Sequence, residues 1–137
     1  MSIKSKIAKG AVAVTVAATA LAGAAGTASA STTAPTIGNG YANNGNAVWC
    51  VQESLNYFGK EPNLPVPVPT VSQDGIWGPK TEQVVKAFQQ DITGLKADGY
   101  VGPITGENLL GYGDPYYTGY GIAKNNAYCY QYIPSTT

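Results

Sequence analysis

The sequence contains one eight-residue phrase twice, as DGIWGPKT at residues 74–81 and as DGYVGPIT at residues 98–105. The copies start 24 residues apart and keep Asp-Gly, Gly-Pro and Thr in the same places. Asp followed by Gly favours a tight turn, because the carboxylate accepts backbone N–H bonds and glycine tolerates a positive φ. Gly followed by Pro favours a helix start, since the N–H that proline lacks has no helical partner there. The phrase therefore predicts a turn that leads into a helix, used twice.

We expect the repeated residues to be structural rather than catalytic. Glycoside hydrolysis needs two carboxyl groups that face one sugar across a defined gap, whereas an Asp in a turn normally bonds its own backbone. Neither copy has the alternating Asp/Asn ladder of a calcium loop. The residues to which we assign this turn and helix-start role are Asp74, Gly75, Gly78, Pro79, Asp98, Gly99, Gly102 and Pro103.

Helical periodicity accompanies the repeat. Asn46 is a candidate N-cap for a first helix, and Gly59 is expected to end that helix in the left-handed conformation. Four prolines within residues 62–69 predict an irregular loop. A second helix should follow the first copy and close at Gly94, and a short third helix should follow the second copy. The predicted fold class is therefore all-α, with three short helices around a small core.

Residues 1–30 have the pattern of a secretory signal peptide. Three lysines precede an apolar run from Ala11 to Ala25, and Ala28-Ser29-Ala30 is a small-x-small cleavage site. The run is short and too weakly apolar to span a bilayer well. We predict cleavage after Ala30, a secreted chain and no association with a membrane.

Charge and residue content exclude several functions. Three of the eight lysines lie in the leader, so the mature chain has five lysines against eight acids, a net charge of −3. Binding to nucleic acid through phosphate neutralisation is therefore disfavoured. The chain has no His, which removes the commonest general base and metal ligand. We predict a monomer that is not an enzyme and that needs no cofactor and no metal.

Two cysteines, Cys50 and Cys129, remain in a chain predicted to be exported. An oxidising compartment and an even count favour one disulfide between them. Two free buried thiols, or pairing between chains, are the alternatives. A disulfide would staple a mature chain of 107 residues, which is small enough to need one.

The mature chain divides by composition into a flexible linker at 31–45, a domain at 46–112 and a Tyr-rich extension at 113–137. Seven tyrosines lie between residues 112 and 132. On the first helix, Trp49, Glu53 and Tyr57 share the face opposite the core stripe. We expect the extension to fold over this face; alternatively, Trp49 and the tyrosines of the extension form a binding platform.

The ordered motifs resemble the peptidoglycan-binding domain 1 family. The first helix carries V-Q-x-x-L-N-x-x-G from Val51 to Gly59, and the second carries A-F-Q at residues 87–89, between the two copies of the repeat. The resemblance covers roughly Asn46–Gly111. It implies a three-helix, usually non-catalytic module that anchors secreted enzymes to the bacterial cell wall. Gly106 stands where members often carry Trp, which predicts a looser third helix.

The candidate ligand-binding residues are uncharged. Ile76 and Tyr100 should point outward from the two turns, while Trp77 and Val101 face the core, so Tyr100 could stack on a sugar or contact a stem peptide. The amides of Gln52 and Asn56 suit hydroxyl and N-acetyl groups, although Asn56 could instead cap its own helix. The ligand-binding set is Tyr100, Gln52, Asn56, Trp49 and Ile76.

We therefore expect a stand-alone secreted module, associated with the cell wall, that binds the N-acetyl sugars and stem peptides of peptidoglycan. The alternative is a secreted protein-interaction or inhibitor module with a protein partner. That module would use the same scaffold and a Tyr-rich surface, and composition does not separate the two.

Overall fold

The structure, a computed structural model, describes residues 31–64, 66–118 and 128–136. Its α-helices are α1 (Gly45–Gly59), α2 (Pro79–Ala87), α3 (Pro103–Tyr112) and the short α4 (Pro115–Thr118). A π-helical turn, Phe88–Ile92, continues α2, and a 3-10 turn spans Cys129–Gln131. The predicted all-α class is confirmed for the described part of the chain. The predicted signal peptide lies outside the described residues and stays a prediction.

Helix α1 differs from its predicted ends. Its N-cap is Asn44, whose side-chain oxygen accepts a hydrogen bond from the Asn46 backbone N–H, so Asn46 already lies inside the helix. Gly59 is the last helical residue, and its φ is not positive. A Cβ on Gly59 would lie 2.7 Å from the carbonyl oxygen of Val68. Gly59 is therefore needed for the close passage of the Pro-rich loop and not for a left-handed cap.

The two helix starts in the repeat have the expected form. Gly78 and Gly102 are the N-caps, and Pro79 and Pro103 are the first helical residues. Gly75 and Gly99, with φ of 69° and 78°, occupy the left-handed region that glycine adopts without steric cost. Each copy is thus a turn followed by a helix.

The core lies between α1, α2 and α3. The side chains after the two Asp-Gly turns divide as predicted, since Val101 is buried and Trp77 packs against the core, whereas Ile76 and Tyr100 are 69% and 39% exposed. The largest fully buried apolar side chains are Ile37, Val48, Val51, Leu55, Val84, Val85, Phe88, Val101, Leu109 and Ile133.

The segment 31–45, expected to be a flexible linker, packs on the domain. Ile37 forms an isolated antiparallel bridge with Val101, with N···O distances of 3.1 and 2.8 Å. Its side chain is buried in the core. The side chain of Asn43 also closes a loop by bonding both backbone groups of Gly38. The segment is thus anchored by the buried Ile37 side chain and by backbone bonds, including that from the Ser31 N–H to the Tyr130 carbonyl oxygen at 2.9 Å.

The C-terminal segment crosses α3 at Gly106. A Cβ on Gly106 would overlap the carbonyl oxygen of Pro134 and lie 2.8 Å from Cγ2 of Ile133. Ile133 is fully buried, and beside it the Ser135 N–H donates to the Ser31 carbonyl oxygen at 3.1 Å. The prediction of a looser third helix is wrong, because this segment occupies the space that a larger side chain would need.

Replacing Gly106 tests this crossing. We expect Gly106→Ala to destabilise the fold by roughly 2 kcal/mol, because the new methyl group forces the backbone at Pro134 to move. Gly111→Ala is the matched control in the same helix, since a Cβ there meets nothing within 4 Å. That control should stabilise the helix by about 0.5–1 kcal/mol. Urea unfolding of both variants is the measurement, and equal effects would contradict the crossing.

Cys50 and Cys129 form a disulfide, as predicted, with their Cα atoms 5.5 Å apart. Both residues are fully buried. The bond attaches the 3-10 turn of the extension to the middle of α1. Because Tyr117 and Tyr128 also contact Trp49 of α1, the prediction that the extension folds over this helix is confirmed for its described residues.

Candidate functional site

The side chain of Gln52, on α1, holds the first Asp-Gly turn. Its amide nitrogen donates to Asp74 Oδ1 at 2.9 Å and to the carbonyl oxygen of Ile76 at 3.1 Å, and lies 3.3 Å from Thr81 Oγ1. Its amide oxygen accepts from the Gly75 N–H at 2.9 Å. Both the nitrogen and the oxygen of this amide are thus hydrogen-bonded inside the chain.

Gln89, in the π-helical turn, holds the second Asp-Gly turn in the same way. Its amide nitrogen donates to Asp98 Oδ1 at 2.8 Å and to the Tyr100 carbonyl at 2.9 Å, and lies 3.0 Å from Thr105 Oγ1. Its amide oxygen accepts from the Gly99 N–H at 2.9 Å. The repeat is thus a three-part unit of a helix glutamine, an Asp-Gly turn and the threonine of the next helix.

Gln52 is a structural residue and not a candidate for ligand contact, because it is 1% exposed and its amide nitrogen and oxygen both bond the first turn. Gln89, equally buried, is the residue that sequence reasoning missed. A signal existed: Val51-Gln52 with Leu55, and Phe88-Gln89 with Ile92, place glutamine at one spacing within two helical stripes. Each pattern precedes one copy of the repeat.

Asn56 is also used inside the fold. Its side-chain nitrogen donates to the Val71 carbonyl at 2.7 Å, and its side-chain oxygen accepts from the Val71 N–H at 2.7 Å. Asn56 is buried and neither caps its own helix nor faces solvent. Asn56 fixes the end of the Pro-rich loop against α1. Like Gln52, it is therefore a structural residue and not a candidate for ligand contact.

The two turn carboxylates bond their own turns. Asp74 Oδ1 accepts from the Ile76 N–H, and Asp98 Oδ1 accepts from the Tyr100 N–H, each at 3.0 Å. The hydrogen bond from the Ile76 backbone, followed by that from Gln52, holds the pKa of Asp74 below its usual range. These contacts stabilise turns and do not place a proton donor beside a nucleophile.

A buried carboxyl pair joins α1 to the start of the extension. Glu53 was expected on an outward face, but it is buried, and it shares a hydrogen bond with Asp114. Burial, followed by the charge and hydrogen bond of Asp114, raises the pKa of Glu53 to about 8, although Lys60 opposes the shift. The raised pKa favours the protonated form of Glu53, and the pair links the helix to the chain just after α3.

Glu53 makes stability depend on pH. The folded state keeps its proton up to a pKa of about 8, whereas the unfolded state loses it near 4.5. Folding therefore takes up a proton between these values, and the free energy of unfolding falls as pH rises, by up to about 1.4 kcal/mol per pH unit. Below the lower value the stability contribution is fully present.

We expect Glu53→Gln to flatten this slope and to raise stability at pH 8 by about 2 kcal/mol, since a neutral amide carries no charge to bury. Urea unfolding at pH 5, 6.5 and 8 measures the slope. Glu61→Gln, which removes an exposed carboxylate, is the control. A Glu53→Gln protein with the wild-type pH slope would show that Glu53 does not carry the proton.

A cleft of about 360 Å³ opens where the extension meets α1, and we call it the aromatic cleft. Its described lining residues are Asn46, Trp49, Tyr117 and Tyr128. The Trp49 ring centroid lies 5.2 Å from that of Tyr117 and 6.2 Å from that of Tyr128, at interplanar angles of 76° and 83°. Both tyrosines are 40% exposed, so the cleft presents aromatic surface to solvent.

A second aromatic surface lies at the second turn. Tyr100 packs edge-on against Tyr41, with ring centroids 5.5 Å apart, and both side chains are exposed. The Tyr100 ring lies directly against Gly38, where a Cβ would be 2.6 Å from it. At the first turn, the equivalent residue Ile76 lies at the rim of a smaller cleft of about 170 Å³. Tyr100, Ile76 and Trp49 are thus all accessible to a ligand.

None of the helices in the described part of the chain is long and apolar enough to cross a membrane. Within the same residues, no group of three or more His, Cys, Asp or Glu side chains is placed to hold a metal ion.

Residues 44–109 match the family model described as "Putative peptidoglycan binding domain". The match begins at the N-cap of α1 and ends within α3, so it contains both glutamine-held turns. This segment is a domain of that family. No curated protein matches the chain. The disulfide partner Cys129 and the cleft residues Tyr117 and Tyr128 lie beyond the matched segment.

Proposed function

We propose that the protein is a secreted, non-catalytic module that binds peptidoglycan in the bacterial cell wall and acts as a monomer. The observation that carries this proposal is the family match over 44–109, which coincides with the α1–α3 core. Gln52 and Gln89 hold the two turns by hydrogen bonds inside the fold. A turn that is already fixed loses little conformational freedom when it binds a ligand, which lowers the cost of binding.

The placement of the carboxyl groups favours binding over catalysis. Asp74 and Asp98 hold their turns, and Glu53 is paired with Asp114 inside the fold. Glu82 forms an ion pair with Lys86 one helical turn away, with N···O 2.6 Å. A glycosidase would need two carboxyl groups on one substrate-binding surface, and these five acids already have other partners.

The disulfide supports secretion. Structural disulfides persist in oxidising compartments and are rare in the cytosol. Cys50–Cys129 is fully buried, which is typical of a structural bond, and the predicted leader at 1–30 would export the chain. Export places the module in the compartment where peptidoglycan is found.

Incubation of chain 31–137, which contains every described residue, with purified sacculi tests the proposal. We expect the protein to pellet with the wall and to release no soluble muropeptides. Tyr100→Ala, Ile76→Ser and Trp49→Ala, each checked for folding by circular dichroism, locate the contact surface. Release of muropeptides would show an enzyme, and a chain that stays in the supernatant would favour the protein-partner alternative.

A further inference from the structure

We propose that the aromatic cleft binds the glycan strand of peptidoglycan through a neutral N-acetylated sugar that stacks on Trp49. The inference rests on the proposed function and adds a site and a ligand class to it. The stem peptide is then contacted elsewhere or not at all.

The aromatic cleft is built by the extension and not by the family domain alone. Trp49 and Asn46 come from α1, but Tyr117 and Tyr128 lie outside the matched segment 44–109. The Cys50–Cys129 bond adjoins both Trp49 and Tyr128 in sequence, so it fixes the two sides of the cleft relative to each other. A cleft that is held by a covalent bond needs little ordering when a ligand arrives.

The ring arrangement suits a sugar. Both tyrosine rings are nearly perpendicular to the indole ring, with interplanar angles of 76° and 83°. The three rings therefore line an open cleft and are not stacked face to face. The C–H faces of a pyranose are apolar, and aromatic rings cover such faces while polar ring edges contact hydroxyls. The volume of about 360 Å³ lies in the range of small-molecule sites.

The polar rim is uncharged. The Asn46 side-chain amide lies 3.4 Å from the Tyr132 hydroxyl, which is in turn hydrogen-bonded to Tyr128. An amide and two hydroxyls can donate to and accept from the hydroxyl and N-acetyl groups of a sugar. None of the described lining residues carries a charge, and the mature chain is net negative. A stem peptide with free carboxylates would find no cation among them, so the glycan is the better match.

NMR titration of the ¹⁵N-labelled chain 31–137 tests the site, because the sequence has two tryptophans, Trp49 and Trp77. Their indole N–H signals are assigned with Trp77→Phe. A soluble tetramer of N-acetylglucosamine is expected to shift the Trp49 signal saturably and to leave the signal of the core-packed Trp77 in place. A soluble stem pentapeptide is expected to shift neither signal.

Matched variants keep the test specific. Tyr117→Ala and Asn46→Ala should each weaken binding of the tetramer, Tyr117→Ala by roughly tenfold. Tyr41→Ala is the control, because Tyr41 is also an exposed tyrosine in an edge-on ring pair, but at the second turn. If only Tyr41→Ala weakens binding, the glycan site is not the aromatic cleft.

The failure of this inference differs from the failure of the proposed function. A chain that pellets with sacculi but shows no Trp49 shift with the tetramer overturns the glycan site and leaves wall binding intact. A shift with the pentapeptide alone also overturns it. A chain that binds neither sacculi nor tetramer overturns both.

Discussion

Gln89→Ala is expected to lose about 3–4 kcal/mol of the free energy of unfolding. The substitution removes the amide that contacts Asp98, Tyr100 and Thr105, and leaves the Gly99 N–H, in a buried position, without its acceptor. Each buried polar group left without a partner costs about 1–3 kcal/mol. The total free energy of unfolding of a small domain is about 5–15 kcal/mol. The Gln89 side chain therefore contributes a large share of the stability.

Gln90→Ala is the control for that measurement, since Gln90 is the adjacent residue in the same π-helical turn and is exposed. It should change stability by less than about 0.5 kcal/mol. Gln52→Ala should match Gln89→Ala, because the two side chains hold equivalent turns. Urea unfolding compares all three variants, and equal stabilities for Gln89→Ala and Gln90→Ala would contradict the account of the repeat.

Removal of the disulfide is expected to cost about 4 kcal/mol, because the bond closes a span of 79 residues in the unfolded chain. Cys50→Ala with Cys129→Ala removes it without leaving a reactive thiol. The extension then loses its attachment to α1, so Trp49 should become more exposed and its fluorescence should shift to longer wavelength.

Reduction of the wild-type protein should reproduce these changes, whereas the same reductant should leave the double variant unaltered. Chemical denaturation with and without reductant measures both effects. A double variant with nearly wild-type stability would show that packing at Tyr117 and Ile133, and not the disulfide, holds the extension in place.

Local chemistry in the sequence was enough to predict the two turns and the two helix starts of the repeat. Gly75 and Gly99 at positive φ, and Pro79 and Pro103 at the first helical positions, follow from residue types within one or two neighbours. The fold class follows from the helical periodicity that begins at these points.

Residues whose role depends on a distant partner were not predicted. Gln52 and Asn56 were identified as polar residues on a helix, but their partners lie 15 to 29 residues further along the chain. Gly59 lies against the backbone of Val68, and Gly106 lies against the backbone of Pro134. In both cases glycine is needed because a segment that is distant in sequence passes too close for a Cβ. Ile37 belongs to the core because of one bridge to Val101.

The aromatic cleft was predicted only in outline. The helical pattern predicts Trp49 on the face of α1 that the extension covers. The predicted disulfide between Cys50 and Cys129 places the extension beside that face. The sequence did not indicate that Tyr117 and Tyr128 would be the contacting tyrosines, because their positions depend on the chain path between α3 and Cys129. Nor did it indicate that Glu53 on that face would be paired with Asp114.

The most direct test of the central claim is a binding curve of chain 31–137 on purified, protein-free sacculi, with cellulose as the matched insoluble polysaccharide. We expect saturable binding to sacculi and none to cellulose. Equal retention on both polymers, or none on sacculi, would contradict the claim that this domain binds peptidoglycan.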